Sequence, residues 1–403
     1  MIGNPPYIRQ ELLADKATLR AFASYDGVAD LYVYFIELAH RIARPGGRWC
    51  LITPNKWLTV AYAKPLRAFL AKQASVEGVV DMRGARVFDE DAFPCVVWGT
   101  VERSTAPIHA VRGDLSSRRG HHDRARWTEA PWHIDEPEDR ALIDELHARW
   151  PAFDTIGKPA RGIVTGANDV FVVDRATRDR LCTDERWLQP FVKGRDLRPF
   201  RAAFDERYLL LIDHGTELDE LPAAIVDYLT PFRDKLEPGT GRKPGRYRWY
   251  ELQDPVGAHS ISRAPRLFYQ DIQSGPACCL DESGLVPDTT VWTLNTDDRY
   301  LLGVLNSPLY GWYAQRRFPP ALNGSVRPKR AYIGTLPIAT PSASARARIE
   351  ALVDERLRQA DDELDRAIAG AVMDAYDLTA TQRAVVARAG GDRDRSAARR
   401  SRA

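Results

Sequence analysis

The chain has 403 residues, 44% hydrophobic and 28% charged, with a formal net charge of +2; that length carries two or three domains, and the composition excludes a disordered or collagen-like chain. No apolar run approaches the roughly 20 residues that span a bilayer, and the first residues lack the basic region and apolar stretch of a secretory signal, so no membrane partner and a cytoplasmic location are expected. The five cysteines (Cys50, Cys95, Cys182, Cys278, Cys279) form no Cys-x-x-Cys pair and the eight histidines no His-Glu-x-x-His, which leaves a disulfide framework, a zinc site and any other metal without support.

Gly3-Asn4-Pro5-Pro6-Tyr7 comes after only Met1 and Ile2. Asp30–Arg44 has apolar residues at helical spacing and stops at Pro45-Gly46-Gly47. Trp49–Pro54 reads as a short buried strand, Tyr62–Gln73 as a second helix, and Val76–Asp81 and Cys95–Val101 as further strands. Strands and helices alternating at this pitch imply crossover units on a largely parallel sheet. Residues 106–150 are rich in arginine and histidine and read as a linker ending in a short helix, Glu136–Ala148. Residues 151–340 form a second unit with many turns and short β-like runs, such as Val170–Val173 and Tyr208–Ile212. Residues 341–385 are a helical segment in which 343–378 reads as one amphipathic stretch, with Ile349, Leu352, Val353, Leu357, Ala360, Leu364 and Ile368 on one face. Residues 386–403 are a basic tail expected to be disordered.

The near-neutral total charge makes no case for nucleic acid; the distribution is more useful. Arg242, Lys243, Arg246 and Arg248 share a Gly- and Pro-rich loop suited to reaching phosphates, and Lys193, Arg195 and Arg327 add basic character. For any one of these cations alone, a solvated surface charge is the competing reading.

Asn4-Pro5-Pro6-Tyr7 resembles the target-base clamp of DNA methyltransferases that modify exocyclic amino groups; a plain proline turn after a strand is the alternative. The amino nitrogen of adenine is a poor nucleophile, because its lone pair is delocalised into the ring. An Asn side-chain oxygen and the Pro5 carbonyl can accept its protons and favour a pyramidal nitrogen. The prolines stiffen the loop, and Tyr7 offers a ring for an extruded base. Residues 1–105 resemble the post-cofactor half of the gamma-order adenine-N6 DNA methyltransferases, the TaqI-like group. The segment Asp30–Glu37 resembles the motif after the clamp, where Phe35 matches the aromatic that packs on the adenine of S-adenosyl-L-methionine; plain helix core competes for Phe35. Val87–Pro94 resembles the loop whose aromatic contacts the flipped base, with Phe88 the match and Phe93 the alternate. Asn55, Lys56 and Trp57 are expected to shape the pocket wall.

The second unit is similar to the TaqI-like C-terminal specificity domain through Gly162–Phe171, Pro190–Leu197, Tyr247–Leu252, Asn306–Leu309 and Asn323–Pro328. The fold class implied is α/β: a partial Rossmann-like methyltransferase sheet (1–105), a mixed α+β DNA-specificity domain (151–340) and a C-terminal helical segment.

The resemblance implies methyl transfer from S-adenosyl-L-methionine to adenine N6 in double-stranded DNA, within a restriction-modification system. Asn4, Pro5, Pro6 and Tyr7 would be catalytic, and Asn4 and Phe35 would also meet the cofactor. The family's Gly-rich cofactor turn and ribose-binding acidic residue have no counterpart in residues 1–403. The chain is therefore expected to be truncated, mis-started or split, inactive alone, and completed by the missing half, either as an N-terminal methyltransferase fragment on another chain or in an extended reading frame; a cognate nuclease is a second expected partner. Without its first strands, 1–105 is expected to be poorly stable by itself. The alternatives are a DNA-binding specificity subunit, an inactive remnant, and methylation of cytosine N4.

Overall fold

Tyr32, Val33, Ile36 and Ala39 recur at helical spacing and are buried on helix α1 (Leu31–Ile42). The helix ends before Pro45-Gly46, where Gly46 turns the chain at a φ of 70°. In this computed structural model the described residues are 1–13, 16–73, 75–82, 93–113, 120–181, 184–256 and 264–388. They divide into two units, Met1–Ala141 and Leu142–Ala403.

The first unit holds a six-stranded sheet of β1 (Ile2–Gly3), β2 (Arg48–Pro54), β3 (Val76–Asp81), β4 (Pro94–Thr100), β5 (Ile108–Arg112) and β6 (His121–His122), with a second long helix, α2 (Lys64–Gln73). The spatial order is β1-β2-β4-β3-β5-β6. β1 runs parallel to β2, and β3 to β5, but β4 lies antiparallel to both β2 and β3. The expectation of a largely parallel sheet is corrected here. Alternating burial along β2 and β4 sets which face each residue takes, and that pattern is the same for either strand direction. β1 is an edge strand, and Ile2 on it is 89% exposed.

Residues 106–150 are not a linker. β5 pairs with β3 over Gly78–Asp81, and Trp127, Trp132 and Ile134 are buried in the same core as Trp49, Trp57 and Leu66. The polar, Arg- and His-rich stretch around them hides a five-residue strand and three isolated core anchors. His122 on β6 is only 3% exposed; Arg140 Nη2 lies 3.1 Å from its ring nitrogens, and Trp127 meets it edge-on at 5.8 Å. Burial, with the Arg140 cation next in weight, pushes its pKa down to about 4.

The second unit carries two four-stranded sheets. One orders Val286–Pro287, Leu188–Val192, Arg207–Leu210 and Val172–Asp174; the other orders Cys278–Asp281, Arg266–Gln270, Val291–Leu294 and Ala160–Arg161. Val170–Val173, expected as β-like, is split: 168–171 is a helical turn and Val172–Asp174 a strand. The C-terminal helical segment holds two helices, Ala343–Arg358 and Asp362–Ala375, broken at 359–361, and the start of a third at 380–388. Asp361 caps the second by accepting the Glu363 N–H at 2.7 Å. These helices share a core with Tyr300–Leu305 and Leu309–Ala314, so the segment belongs to the second unit's own packing. Of the basic tail, 386–388 continue a helix and 389–403 lie outside the described residues.

Candidate functional site

β1, β2, β3 and β5 all point the same way, so their carboxyl ends share one edge of the sheet. In open α/β sheets, ligands bind at this edge. Asn4 follows β1 directly and is exposed, Pro5 is buried, and Tyr7 is half-buried. The Tyr7 hydroxyl donates to the Ile52 carbonyl on β2 at 3.3 Å, and its ring meets Tyr32 of α1 edge-on at 6.4 Å. Burial raises the Tyr7 pKa, with Cys95 adding to it, so the phenol stays protonated.

The loop after the clamp is tied to the start of α1. Leu31 N–H donates to the Ile8 carbonyl at 3.0 Å, and Gln10 N–H to Asp30 Oδ1 at 3.1 Å. Asp30 occupies the N-cap position of α1 without capping it. Its second carboxylate oxygen takes the Tyr62 hydroxyl at 3.3 Å, and Tyr62 in turn lies 3.2 Å from the Tyr32 hydroxyl. Asp30 therefore fixes the path of the segment leaving the clamp. Glu37, fully buried on the same helix, accepts the N–H groups of Ala23 and Ser24 at 2.9 and 2.6 Å and pairs with Arg41.

At the ends of β2 and β3, Asn55 Nδ2 donates to Asp81 Oδ1 at 2.9 Å, and Asn55 N–H donates to the Phe93 carbonyl at 2.8 Å. Both side chains are buried. This pair spans the start of β4 and holds the backbone at Phe93, which is half-buried at the same edge. Sequence reasoning treated Asn55 as a pocket wall and missed Asp81, although a carboxylate closing an otherwise apolar strand was the visible signal. Trp57 is no pocket wall: it is wholly buried, donates to Thr53 Oγ1 at 3.2 Å and packs on Trp132 at 5.4 Å. Phe35 is half-buried on α1, so part of its ring stays accessible. Phe88 lies outside the described residues.

The basic loop of the second unit separates into two kinds of residue. Arg242 is 6% exposed, and its five N–H donors go to five carbonyls: Leu236 at 2.6, Glu251 at 2.7, Trp249 at 2.8, and Thr165 and Arg248 at 3.3 Å. The expectation that it contacts phosphate is corrected: a guanidinium with every donor used inside the fold has none to offer. Arg248 is half-exposed but bonded to the Thr216 carbonyl, Glu217 and Tyr250, so it too braces the loop. Lys243 and Arg246 are exposed. With Arg161, His214 and Tyr247 they line a groove of about 630 Å³, in which the His214 and Tyr247 rings stack at 5.9 Å. Elsewhere, Arg195 is exposed, Lys193 lies half-buried over Phe191, and Arg327 pairs with Asp271 at 3.4 Å. Among the described residues no group of three or more His, Cys, Asp or Glu converges as for a metal, and no helix is long and apolar enough to cross a membrane.

Several stretches that carried the sequence resemblance prove to be folding devices. Asn306 exchanges both amide bonds with the Cys278 backbone at 3.0 and 2.8 Å, and Ser307 caps the helix that opens at Pro308. Gly162 sits where a Cβ would lie 2.0 Å from the Asp288 carbonyl oxygen.

Comparison with known proteins defines the class. Residues 1–88 match the Eco57I restriction-modification methylase family, and residues 189–338 match the TaqI-like C-terminal specificity domain. The chain is 32% identical to the Type II methyltransferase M.BanIII of Aneurinibacillus aneurinilyticus, over 89% of this chain and 72% of that protein. It is 22% identical to M.BstVI of Geobacillus stearothermophilus, over 95% of this chain and 74% of that protein. It is 24% identical to M.PaeR7I of Pseudomonas aeruginosa, over 74% of this chain and 56% of that protein. The chain belongs to the Type II methyltransferases of restriction-modification systems. Its fold is similar to that of the Type IIL restriction-modification enzyme MmeI, solved in complex with DNA, with a TM-score of 0.67 and 12% identity over 98% of this chain and 57% of that one.

Proposed function

We propose that this chain is the clamp-and-specificity portion of a site-specific DNA methyltransferase that transfers a methyl group to adenine N6. The observation that carries this reading is the placement of Asn4-Pro5-Pro6-Tyr7 at the carboxyl end of β1, with Tyr7 anchored on β2 and α1. Asn4 Oδ1 and the Pro5 carbonyl accept the two amino protons and aim the nitrogen lone pair. Pro5 lacks an N–H and has a fixed φ, so the carbonyl directions are set before substrate arrives. Tyr7 and either Phe88 or Phe93 hold the extruded ring.

S-adenosyl-L-methionine supplies the electrophilic methyl group. The exposed Asn4 amide at the strand end and the partly accessible Phe35 ring fit a ligand with a polar chain and an adenine face. Double-stranded DNA is the proposed partner of the second unit, through Lys243, Arg246, Lys193, Arg195 and Arg327. A cognate nuclease is a further proposed partner.

The test is methyl transfer to duplex DNA by the chain, alone and mixed with a cofactor-binding methyltransferase fragment, with adenine and cytosine products separated by mass. Asn4→Ala should abolish N6-methyladenine formation and spare DNA binding. Full activity in that variant, or product on cytosine only, refutes the assignment.

A further inference from the structure

The strands Arg266–Gln270 and Cys278–Asp281 are joined by a turn in which Ile272 is 46% exposed while its neighbours Asp271 and Gln273 are buried. A lone exposed apolar residue is ordinary on a protein surface; the mounting of this one is not. Asp271 N–H donates to the Thr290 carbonyl at 2.8 Å, and its carboxylate takes Trp292 Nε1 at 2.9 Å and Arg327 at 3.4 Å. Gln273 exchanges both backbone bonds with Val326 at 2.9 Å, and its Oε1 accepts the buried Tyr310 hydroxyl at 2.7 Å. Ile272 is thus held outward between two neighbours that are both buried and hydrogen-bonded. The β-branched side chain adds a stiff χ1.

The antiparallel bridge Gln273↔Val326 sets Ile272 opposite Arg327, and exposed Lys329 and Arg330 follow on the same segment. A cationic border fits a polyanion, but an isoleucine gains nothing from phosphate. On a duplex, the apolar surfaces open to it are the thymine methyl and the base-pair faces bared when a step opens. A methyl contact needs no reinforcement, whereas a wedge must hold its position against restacking, and the bonds on either side of Ile272 supply that support.

Resting on the reading that the second unit binds duplex DNA, we propose that Ile272 is a wedge that enters the base stack of the bound duplex, while Arg327, Lys329 and Arg330 hold the flanking phosphates. Partial insertion unstacks a step and kinks or unwinds the helix.

The experiment needs no knowledge of the recognition sequence. Closed circular plasmid is relaxed with topoisomerase I in the presence of the full chain, and affinity for linear duplex is measured by gel shift. Wild-type chain should shift the linking number. Ile272→Ala should abolish that shift while affinity stays within about threefold, as for an exposed substitution; Ile272→Leu should keep it. An Ile272→Ala variant that still shifts the linking number, or a wild-type chain that binds without shifting it, overturns the wedge and leaves the DNA-binding reading standing. A wild-type chain that binds no duplex overturns that reading and the wedge with it.

Discussion

Replacing Arg242 with lysine tests whether this cation belongs to the fold. The guanidinium supplies five N–H donors to five carbonyls, in three buried and two half-buried bonds, and lies over the rings of Tyr247 and Phe171, at 4.6 and 5.5 Å. A lysine keeps the charge but brings three donors from one point, so at least two carbonyls lose their partner. At about 1–3 kcal/mol per stranded buried group, the loss is about 2–6 kcal/mol. With a urea dependence of about 3 kcal/mol per molar, the unfolding midpoint of the second unit should fall by about 0.7–2 M. Hydrogen exchange resolved by peptide mass should show the same loss in 165–171 and 236–252, the segments the side chain ties together. Arg246→Lys, four residues on and exposed, serves as the control and should change neither. A midpoint shift for Arg242→Lys of under about 0.3 M, the equivalent of 1 kcal/mol, would refute the reasoning and return Arg242 to the list of DNA contacts.

The exposed cations make the complementary prediction: Lys243→Ala and Arg246→Ala should each lower duplex affinity for all sequences and reduce the salt slope of binding by about 1, and an unchanged slope would remove the loop from the interface. The unfolded His122 ring takes up its proton near pH 6.5 and the folded ring only near pH 4. Between those values the unfolded chain binds more protons, so stability is full above pH 6.5 and falls by about 3 kcal/mol as the pH drops to 4. His122→Asn keeps an acceptor for Arg140 and should flatten that part of the pH profile relative to the parent; parallel profiles would sink the argument. Gly162→Ala puts a methyl group on the Asp288 carbonyl and should cost about 3 kcal/mol; a variant as stable as the parent would show that the 287–288 backbone gives way freely.

Much of the first unit was legible, because its signals are local. The helical spacing of Tyr32, Val33, Ile36 and Ala39 and the alternation along β2 each depend on a few adjacent residues. What was lost depends on partners distant in sequence. The antiparallel setting of β4 follows from pairing with β2 and β3, which period-2 alternation cannot encode. β5 was hidden because five residues among arginines and histidines look like linker until β3 is beside them. The arginines show the limit most plainly: Arg242 and Arg246 sit in the same polar loop with the same charge, yet one is wholly consumed by carbonyls 6 to 77 residues away and the other faces solvent. Asp30 looks like a helix cap by position and acts as a tether, because Gln10 and Tyr62 reach it first.

The buried residues of the first unit form one core, from Ala29 to Ile134, and those of the second form others that share none of its members. Each unit thus has hydrophobic cores of its own. On the proposed reading, a lineage can retune how tightly it holds duplex DNA through exposed residues such as Lys243 and Arg246 without repacking the core around Tyr7.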